Sequence, residues 1–336
     1  MNDAPPRIAV LGAGSWGTAL AMQLARAGCR VALWGRDEQR IMEMREERVN
    51  PAYLSEFELP QQIEPEPSLE FAVSSSEHVL LACPSHGFQA LLKSAKQFLG
   101  EQSGVVWASK GFDPGTGHLL HHVAEDLLGK KRILAVITGP SFAREVALDL
   151  PTAVTVASNN EAFGQCVART FHAGNFRAYT TDDMIGAELG GAVKNVMAVA
   201  TGICDGMQLG DNARAALITR GMAEMMRLGR LMGARPETMM GLAGMGDLVL
   251  TCTGDQSRNR RLGLALGRGQ SVAAALEEIG QVVEGVKTSE EVMRLAGKLQ
   301  VETPITEQVF GIIHKAWNPQ KAVRVLLSRE QKAEHR

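Results

Sequence analysis

Three groups of residues have the types and spacing to do chemistry. The first is the run Gly12-Ala-Gly14-Ser15-Trp16-Gly17, directly after the apolar stretch Arg7–Leu11. Glycine at the first position permits a tight turn, and at the second it lets backbone approach a pyrophosphate. At the third it lets a helix pack closely on the preceding strand. A helix opening there offers free N–H groups and the positive end of its dipole to a phosphate. The spacing predicts a dinucleotide site; a glycine-rich turn without a ligand is the plainer alternative. An NAD-selective site would carry an acid at the end of the next strand, Val31–Trp34, to accept from the ribose 2′-hydroxyl. This chain has Arg36 there, with Asp37 beside it. A guanidinium at that point can meet a 2′-phosphate, which favours NADP(H), or stack on adenine; otherwise it is a solvated surface arginine.

The second group is Lys194 with Asn195, set in the stretch ELGGAVKNVMAVATGICDG, which is otherwise mostly small and apolar. A lysine there must reach solvent or a partner, because burying an unpaired charge is costly. The plain alternative is a lysine that lays its stem along the surface. The third group is Asp247 and Thr251, one helical turn apart after the glycine-rich GLAGMG, together with the polar run Ser257-Arg258-Asn259-Arg260-Arg261. Taken singly these read as an N-cap aspartate and a charged turn. His118, His121 and His122 have helical spacing that could hold a metal, but no carboxylate or cysteine belongs to that local set. A helix surface without a metal is expected. The 15 methionines, Met222, Met225 and Met226 among them, read as fillers of core or interface gaps.

Elements must position these groups. Short apolar runs at Arg7–Leu11, Val31–Trp34, Val79–Ala82, Val105–Ala108, Leu134–Thr138, Ala153–Ala157 and Arg177–Tyr179 read as strands, alternating with helical patterns. Near-continuous apolar strands belong to a parallel sheet covered by helices on both faces, so a doubly wound α/β domain is expected. Beyond about Thr180 helical spacing dominates, at Ala187–Thr201, Arg214–Leu231, Val272–Glu278 and Ser289–Lys298. The chain of 336 residues is therefore expected to form two domains, a Rossmann-like one over 1–180 and an all-helical one over 181–336.

A net charge of −2 and an aromatic share of 5% argue against a dedicated nucleic-acid binder. No apolar run approaches the roughly 20 residues of a membrane span. The opening MNDAPPRIAVLG lacks the pattern of a secretory signal, and five scattered cysteines without a CxxC pair read as free thiols. A cytoplasmic location is expected, and small, Met-rich helical faces are compatible with a homodimer.

Taken together, the strings GAGSWGTALA, WASKGF, TGPSFAREVA, ELGGAVKNVMAVATGICDG, GDNARAALITRGMAEM, GLAGMGDLVLTCTG, SRNRRLG and VVEGVKT cover almost the whole chain. In this order they resemble the bacterial NAD(P)-dependent glycerol-3-phosphate dehydrogenases. Met207 and Met245 depart slightly from the family's usual residues. The resemblance implies an enzyme that reversibly reduces dihydroxyacetone phosphate to sn-glycerol 3-phosphate with NADPH or NADH, supplying glycerophospholipid biosynthesis. It implies Lys194 as general acid/base, with Lys110, Asp247 and Thr251 around it. It implies substrate contacts at Lys110, Gly139, Ser141, Lys194, Asn195, Asp247, Ser257, Arg258 and Asn259. Cofactor contacts are implied at Gly12, Gly14, Ser15, Trp16, Gly17, Arg36, Lys110, Ala143, Arg258, Val282 and Glu284.

The chemistry makes sense of these roles. A free lysine, with a pKa near 10.4, shuttles protons poorly at neutrality. Desolvation and a second ammonium such as Lys110 would lower it, with Asp247 orienting the amine. The planar fork of Arg258 suits a phosphate. A 2-hydroxyacid or 6-phosphogluconate-type dehydrogenase would share the layout and a catalytic lysine, but the SRN and GDNA strings argue against it. A non-catalytic NAD(P)-sensing protein would not need Lys194 and Asp247.

Overall fold

A computed structural model describes residues 5–329 of the chain. Its first part alternates strand and helix: β1 (Arg7–Leu11), α1 (Ser15–Arg26), β2 (Arg30–Trp34), α2 (Glu38–Glu47), β3 (Val49–Asn50), β4 (Leu54–Glu58), β5 (Ile63–Glu66), α3 (Leu69–Ser74), β6 (His78–Leu81), α4 (Ser85–Lys96), β7 (Val105–Trp107), α5 (Leu120–Leu128), β8 (Leu134–Thr138), α6 (Ala143–Ala147), β9 (Thr152–Ser158), α7 (Glu161–Phe171) and β10 (Phe176–Thr181). Helices follow: α8 (Met184–Gly206), α9 (Asp211–Met232), α10 (Pro236–Met240), a π-helical turn (Leu242–Gly246), α11 (Asp247–Thr253), α12 (Arg258–Gly267), α13 (Val272–Ile279), α14 (Glu284–Leu299), α15 (Pro304–Lys315) and α16 (Pro319–Leu327).

The strands form one eight-stranded sheet in the order β10-β9-β8-β7-β6-β1-β2-β5, with β3 and β4 as a separate antiparallel pair. Alternate residues of β1 face opposite layers. Ile8 and Val10 join a core that includes Leu20, Leu24, Val167 and Phe171, whereas Ala9 and Leu11 join one that includes Phe88, Leu92, Val123 and Trp107. Helices thus cover both faces, as the near-continuous apolar strands require.

Two features depart from the sequence expectation. β9 runs antiparallel to β8, while β9 and β10 pair in parallel, so the far edge of the sheet is reversed. The sequence Ile63-Glu-Pro-Glu66 gave no strand signal, yet it forms the edge beside β2. Proline is tolerated at an edge, where one side of the ladder needs no partner; Glu64 is exposed, and the buried Glu66 accepts from the Ser68 N–H at 2.9 Å.

The chain divides into two compact units. One holds the described residues up to Gly191 together with Gly233–Asp247; the other holds Ala192–Met232 and the described residues from Leu248 onward. In the second unit, glycines let helix backbones touch. A Cβ on Gly263 would stand 2.1 Å from the Val199 carbonyl oxygen, and one on Gly202 would stand 2.2 Å from that of Arg260. One turn further along, Gly206 meets Leu264 and Gly267 meets Ile203 in the same way. This interlock seats α12 on α8. Glu224, buried on α9, accepts from the N–H groups of Ile305 and Thr306 at 2.6 and 3.2 Å, satisfying the open end of α15.

Candidate active site

The glycine turn at the end of β1 is built as its spacing demands. Gly12 has φ +126°, and a Cβ there would lie 2.7 Å from the Ala82 carbonyl oxygen; one on Gly17 would lie 1.8 Å from that of Gly12. A Cβ on Gly14 would meet nothing within 4 Å, so that residue faces open space. The turn is tied down from both sides. The N–H of Gly12 donates to the Trp34 carbonyl at 2.8 Å, and the buried Asn50 amide donates to the Ala13 carbonyl at 3.0 Å and to Thr18 Oγ1 at 2.8 Å. Asn50 comes from β3, a positioning residue that no motif signalled.

α1 opens on Gly14 with no side-chain cap and no acid in its first turn, leaving N–H groups and dipole to a ligand. The buried indole N–H of Trp16, beside Ser15 in that turn, has no partner in the structure. Beyond Gly14 a cavity of about 340 Å3 is lined by Gly35, Arg36, Asp37, Arg40, Asn50 and Tyr53. Missing Cβ atoms, an uncapped helix end, an orphan donor and a basic cavity together fit a dinucleotide. Ala143, the first residue of α6, packs on the same core layer as Trp16.

A second cluster in the first unit gathers Lys110, Gly139, Ser141 and Asp247. The Lys110 ammonium donates to the Gly139 carbonyl at 3.0 Å and to Asp247 Oδ2 at 2.7 Å. The Ser141 hydroxyl donates to the same carbonyl at 2.9 Å. Gly139 has φ +134°, and a Cβ there would press on Val154 Cα at 3.1 Å, so glycine is required. Asp247 is only 1% exposed and follows the π-helical turn, an irregularity common at functional positions. The Thr138 hydroxyl oxygen is buried without a hydrogen-bond partner and would lie 2.7 Å from a Cβ on Gly191.

The second unit holds the other cluster. Lys194, 6% exposed, donates from Nζ to Thr251 Oγ1 at 2.8 Å. The surface-lying alternative for this lysine is thereby excluded. The Asn259 amide donates to Asn195 Oδ1 at 2.9 Å, and its own Oδ1 accepts from the Gly285 N–H at 2.8 Å. Ser257 caps α12 by accepting from the Arg260 N–H at 3.2 Å, which sets Arg258 as the first residue of that helix. Arg260 is held apart from this set by Asp205 at 2.7 Å and Asp255 at 2.5 Å. Val282 is exposed just before α14, and Glu284 is that helix's first residue. Burial pushes the Cys252 thiol, next to Thr251, up to about 12, so it is no nucleophile.

One expectation is corrected. His121 is buried, not on a helix surface, and its ring Nδ1 pairs with the Glu188 carboxylate, which also accepts from the Trp107 indole N–H at 2.9 Å. Burial opposes protonation of His121, but Glu188 outweighs it and holds the imidazole above its ordinary value. The carboxylate missing from the local sequence arrives from α8, and it completes an internal pair. Among the described residues, no group of three or more His, Cys, Asp or Glu is placed to hold a metal. No helix among them is long and apolar enough to cross a membrane.

Family models agree with this construction. Residues 7–164 match the N-terminal model of NAD-dependent glycerol-3-phosphate dehydrogenase, and residues 183–324 match the C-terminal model. The chain belongs to the glycerol-3-phosphate dehydrogenase family. The glycerol-3-phosphate dehydrogenase (NAD(P)+) of Xanthomonas campestris pv. campestris (strain B100) is 54% identical over 335 residues, covering 100% of this chain and 98% of the relative. The protein of the same name from Xylella fastidiosa is 56% identical, covering 100% of this chain and 97% of its own length. The crystal structure of glycerol-3-phosphate dehydrogenase from Coxiella burnetii superposes with a TM-score of 0.93 at 47% identity, covering 97% of this chain and 99% of that one. Membership in this family brings the Rossmann-type sheet, the helical part and NAD(P) together in one enzyme.

Proposed function

We propose that this member of the family reversibly reduces dihydroxyacetone phosphate to sn-glycerol 3-phosphate with NADPH or NADH, and that Lys194 is its general acid/base. What supports this best is Lys194 itself, a buried lysine in a small-residue helix with its ammonium donated to Thr251. When bound, the reduced nicotinamide supplies a hydride to the ketone carbon. Hydride addition leaves negative charge on the carbonyl oxygen, and Lys194 delivers a proton there, yielding the secondary alcohol. In the reverse direction the neutral amine takes that proton back. Thr251 orients the amine through its hydroxyl.

The remaining assignments follow from donor types. Lys110, fixed by Gly139 and Asp247, presents a positive charge to both cofactor and substrate. Gly139 and Ser141 border it. The substrate phosphate falls to Arg258, Ser257, Asn259 and Asn195, with Arg258 also touching the cofactor. Gly12, Gly14 and Gly17, with Ser15, Trp16, Arg36, Ala143, Val282 and Glu284, hold the dinucleotide, whose pyrophosphate rests on the N-terminal turn of α1. We place the domain change near residue 180, the enzyme in the cytoplasm as a homodimer, and its product in glycerophospholipid synthesis.

The test is the rate of NADPH and, separately, NADH oxidation with dihydroxyacetone phosphate. Turnover with either nucleotide is expected, with NADPH preferred. Oxidation of 6-phosphogluconate or a 2-hydroxyacid by NADP+ or NAD+, with dihydroxyacetone phosphate left unreduced, would overturn the reading.

A further inference from the structure

The cavity beside Gly14 is lined by two guanidinium groups, Arg36 and Arg40, although the family's motifs account for Arg36 alone. Between them in sequence stands Asp37, the acid whose carboxylate would be expected to accept from a ribose 2′-hydroxyl and repel a 2′-phosphate. Its oxygens are directed elsewhere. Oδ1 accepts from the Arg40 backbone N–H at 3.2 Å, capping α2, and Oδ2 lies 3.1 Å from Arg40 Nε. Both contacts lead to residue 40. The charges of Arg36, Asp37 and Arg40 sum to about +1, with the positive end of the ten-residue α2 beside them. Without the Arg40 side chain the sum would be about zero, and Asp37 Oδ2 would lose its counter-charge while Oδ1 still capped α2.

We propose that Arg40 is a specificity-determining residue: its guanidinium offsets the charge of Asp37 and, with Arg36, keeps the pocket positive toward the 2′-phosphate of NADP(H). This rests on the NAD(P)H-dependent reading above. The Arg40 and Asp37 side chains are 59% and 55% exposed, so their ion pair adds little to stability. The backbone half of the cap survives replacement of the side chain. Substitution at position 40 therefore reports on recognition and not on folding.

The test is calorimetric titration of the full chain with adenosine 2′,5′-bisphosphate and with 5′-AMP, for the wild type, Arg40→Ala, Arg36→Ala and the double variant Asp37→Asn/Arg40→Ala. Loss of one charge-assisted contact should weaken the bisphosphate about tenfold in Arg40→Ala, and 5′-AMP by less than about twofold. Asparagine keeps the cap but removes the uncompensated negative charge, so the double variant should regain about threefold in bisphosphate affinity. The ratio of kcat/KM for NADPH over NADH should follow the bisphosphate. Equal weakening of both nucleotides, no weakening at all, or a double variant no better than Arg40→Ala would each overturn the assignment. If the wild type reduced no dihydroxyacetone phosphate, the functional reading would fall, while the titrations would still decide the role of Arg40.

Discussion

Two substitutions at Lys194 separate proton delivery from packing. The lysine stem is buried within α8, and Nζ lies 2.8 Å from Thr251 Oγ1. Lys194→Ala removes the proton donor and three methylenes. At about 0.8 kcal/mol per buried methylene, the packing loss is roughly 2.4 kcal/mol. For a protein of this size that corresponds to a fall of about 3–4 °C in Tm. Lys194→Met removes the donor but keeps most of the stem, so its Tm should fall by less than half as much. Both variants lose the proposed general acid, and kcat should drop on the order of 10²–10⁴-fold, or about 2.7–5.5 kcal/mol of barrier. The assay is the initial rate of NADPH oxidation with dihydroxyacetone phosphate, beside thermal melts and NADPH binding by fluorescence. An effect confined to the reaction step lowers kcat and kcat/KM together. A folded Lys194→Met enzyme within about tenfold of wild-type turnover would refute the assignment. So would a loss traced wholly to weaker NADPH binding.

Arg258→Ala should raise the KM for dihydroxyacetone phosphate about ten- to a hundredfold while affecting phosphate-free dihydroxyacetone far less; equal losses on both would exclude Arg258 as the phosphate ligand. Gly263→Ala places a methyl 2.1 Å from the Val199 carbonyl oxygen and should part α12 from α8, costing about 1–3 kcal/mol in thermal melts and raising KM as the Asn259–Asn195 bond loosens; an unchanged Tm would contradict the interlock. Burial raises the Glu224 carboxyl from an ordinary 4.5 to about 7. The folded state therefore holds its proton more tightly than the unfolded one, so the stabilisation is complete below pH 4.5 and lost as pH rises through 7, a change of at most about 3 kcal/mol. Glu224→Gln keeps the acceptor for the α15 N–H groups and should flatten Tm against pH over that window; a profile identical to wild type would show that Glu224 does not titrate there.

Which parts of this molecule could be read from its sequence depends on how far each constraint reaches along the chain. The phosphate turn was legible because much of its constraint is local: Gly12 takes φ +126°, and a Cβ on Gly17 would collide with Gly12, five positions away. Lys194 stood out because a charge among small apolar neighbours needs solvent or a partner, and the structure buries it with its ammonium on Thr251. The reversal of β9 is not marked in its own residues, since Val154, Val156 and Ala157 are buried like the apolar residues of the parallel strands. β5 was hidden because an edge strand can afford Pro65 and its acids. The glycine pairs 202/206 and 263/267 show their four-residue spacing in the sequence, yet nothing local says that each faces the other. The burial of His121 is hidden for the same reason, since its partner Glu188 lies 67 residues away. A histidine beside two exposed histidines looks like surface until a distant helix brings it a carboxylate. The asparagines proposed for the substrate phosphate obey the same logic: Asn195 and Asn259 meet because the interlocked glycines let α12 approach α8, so motif residues suggest the chemistry while unremarked glycines set the geometry.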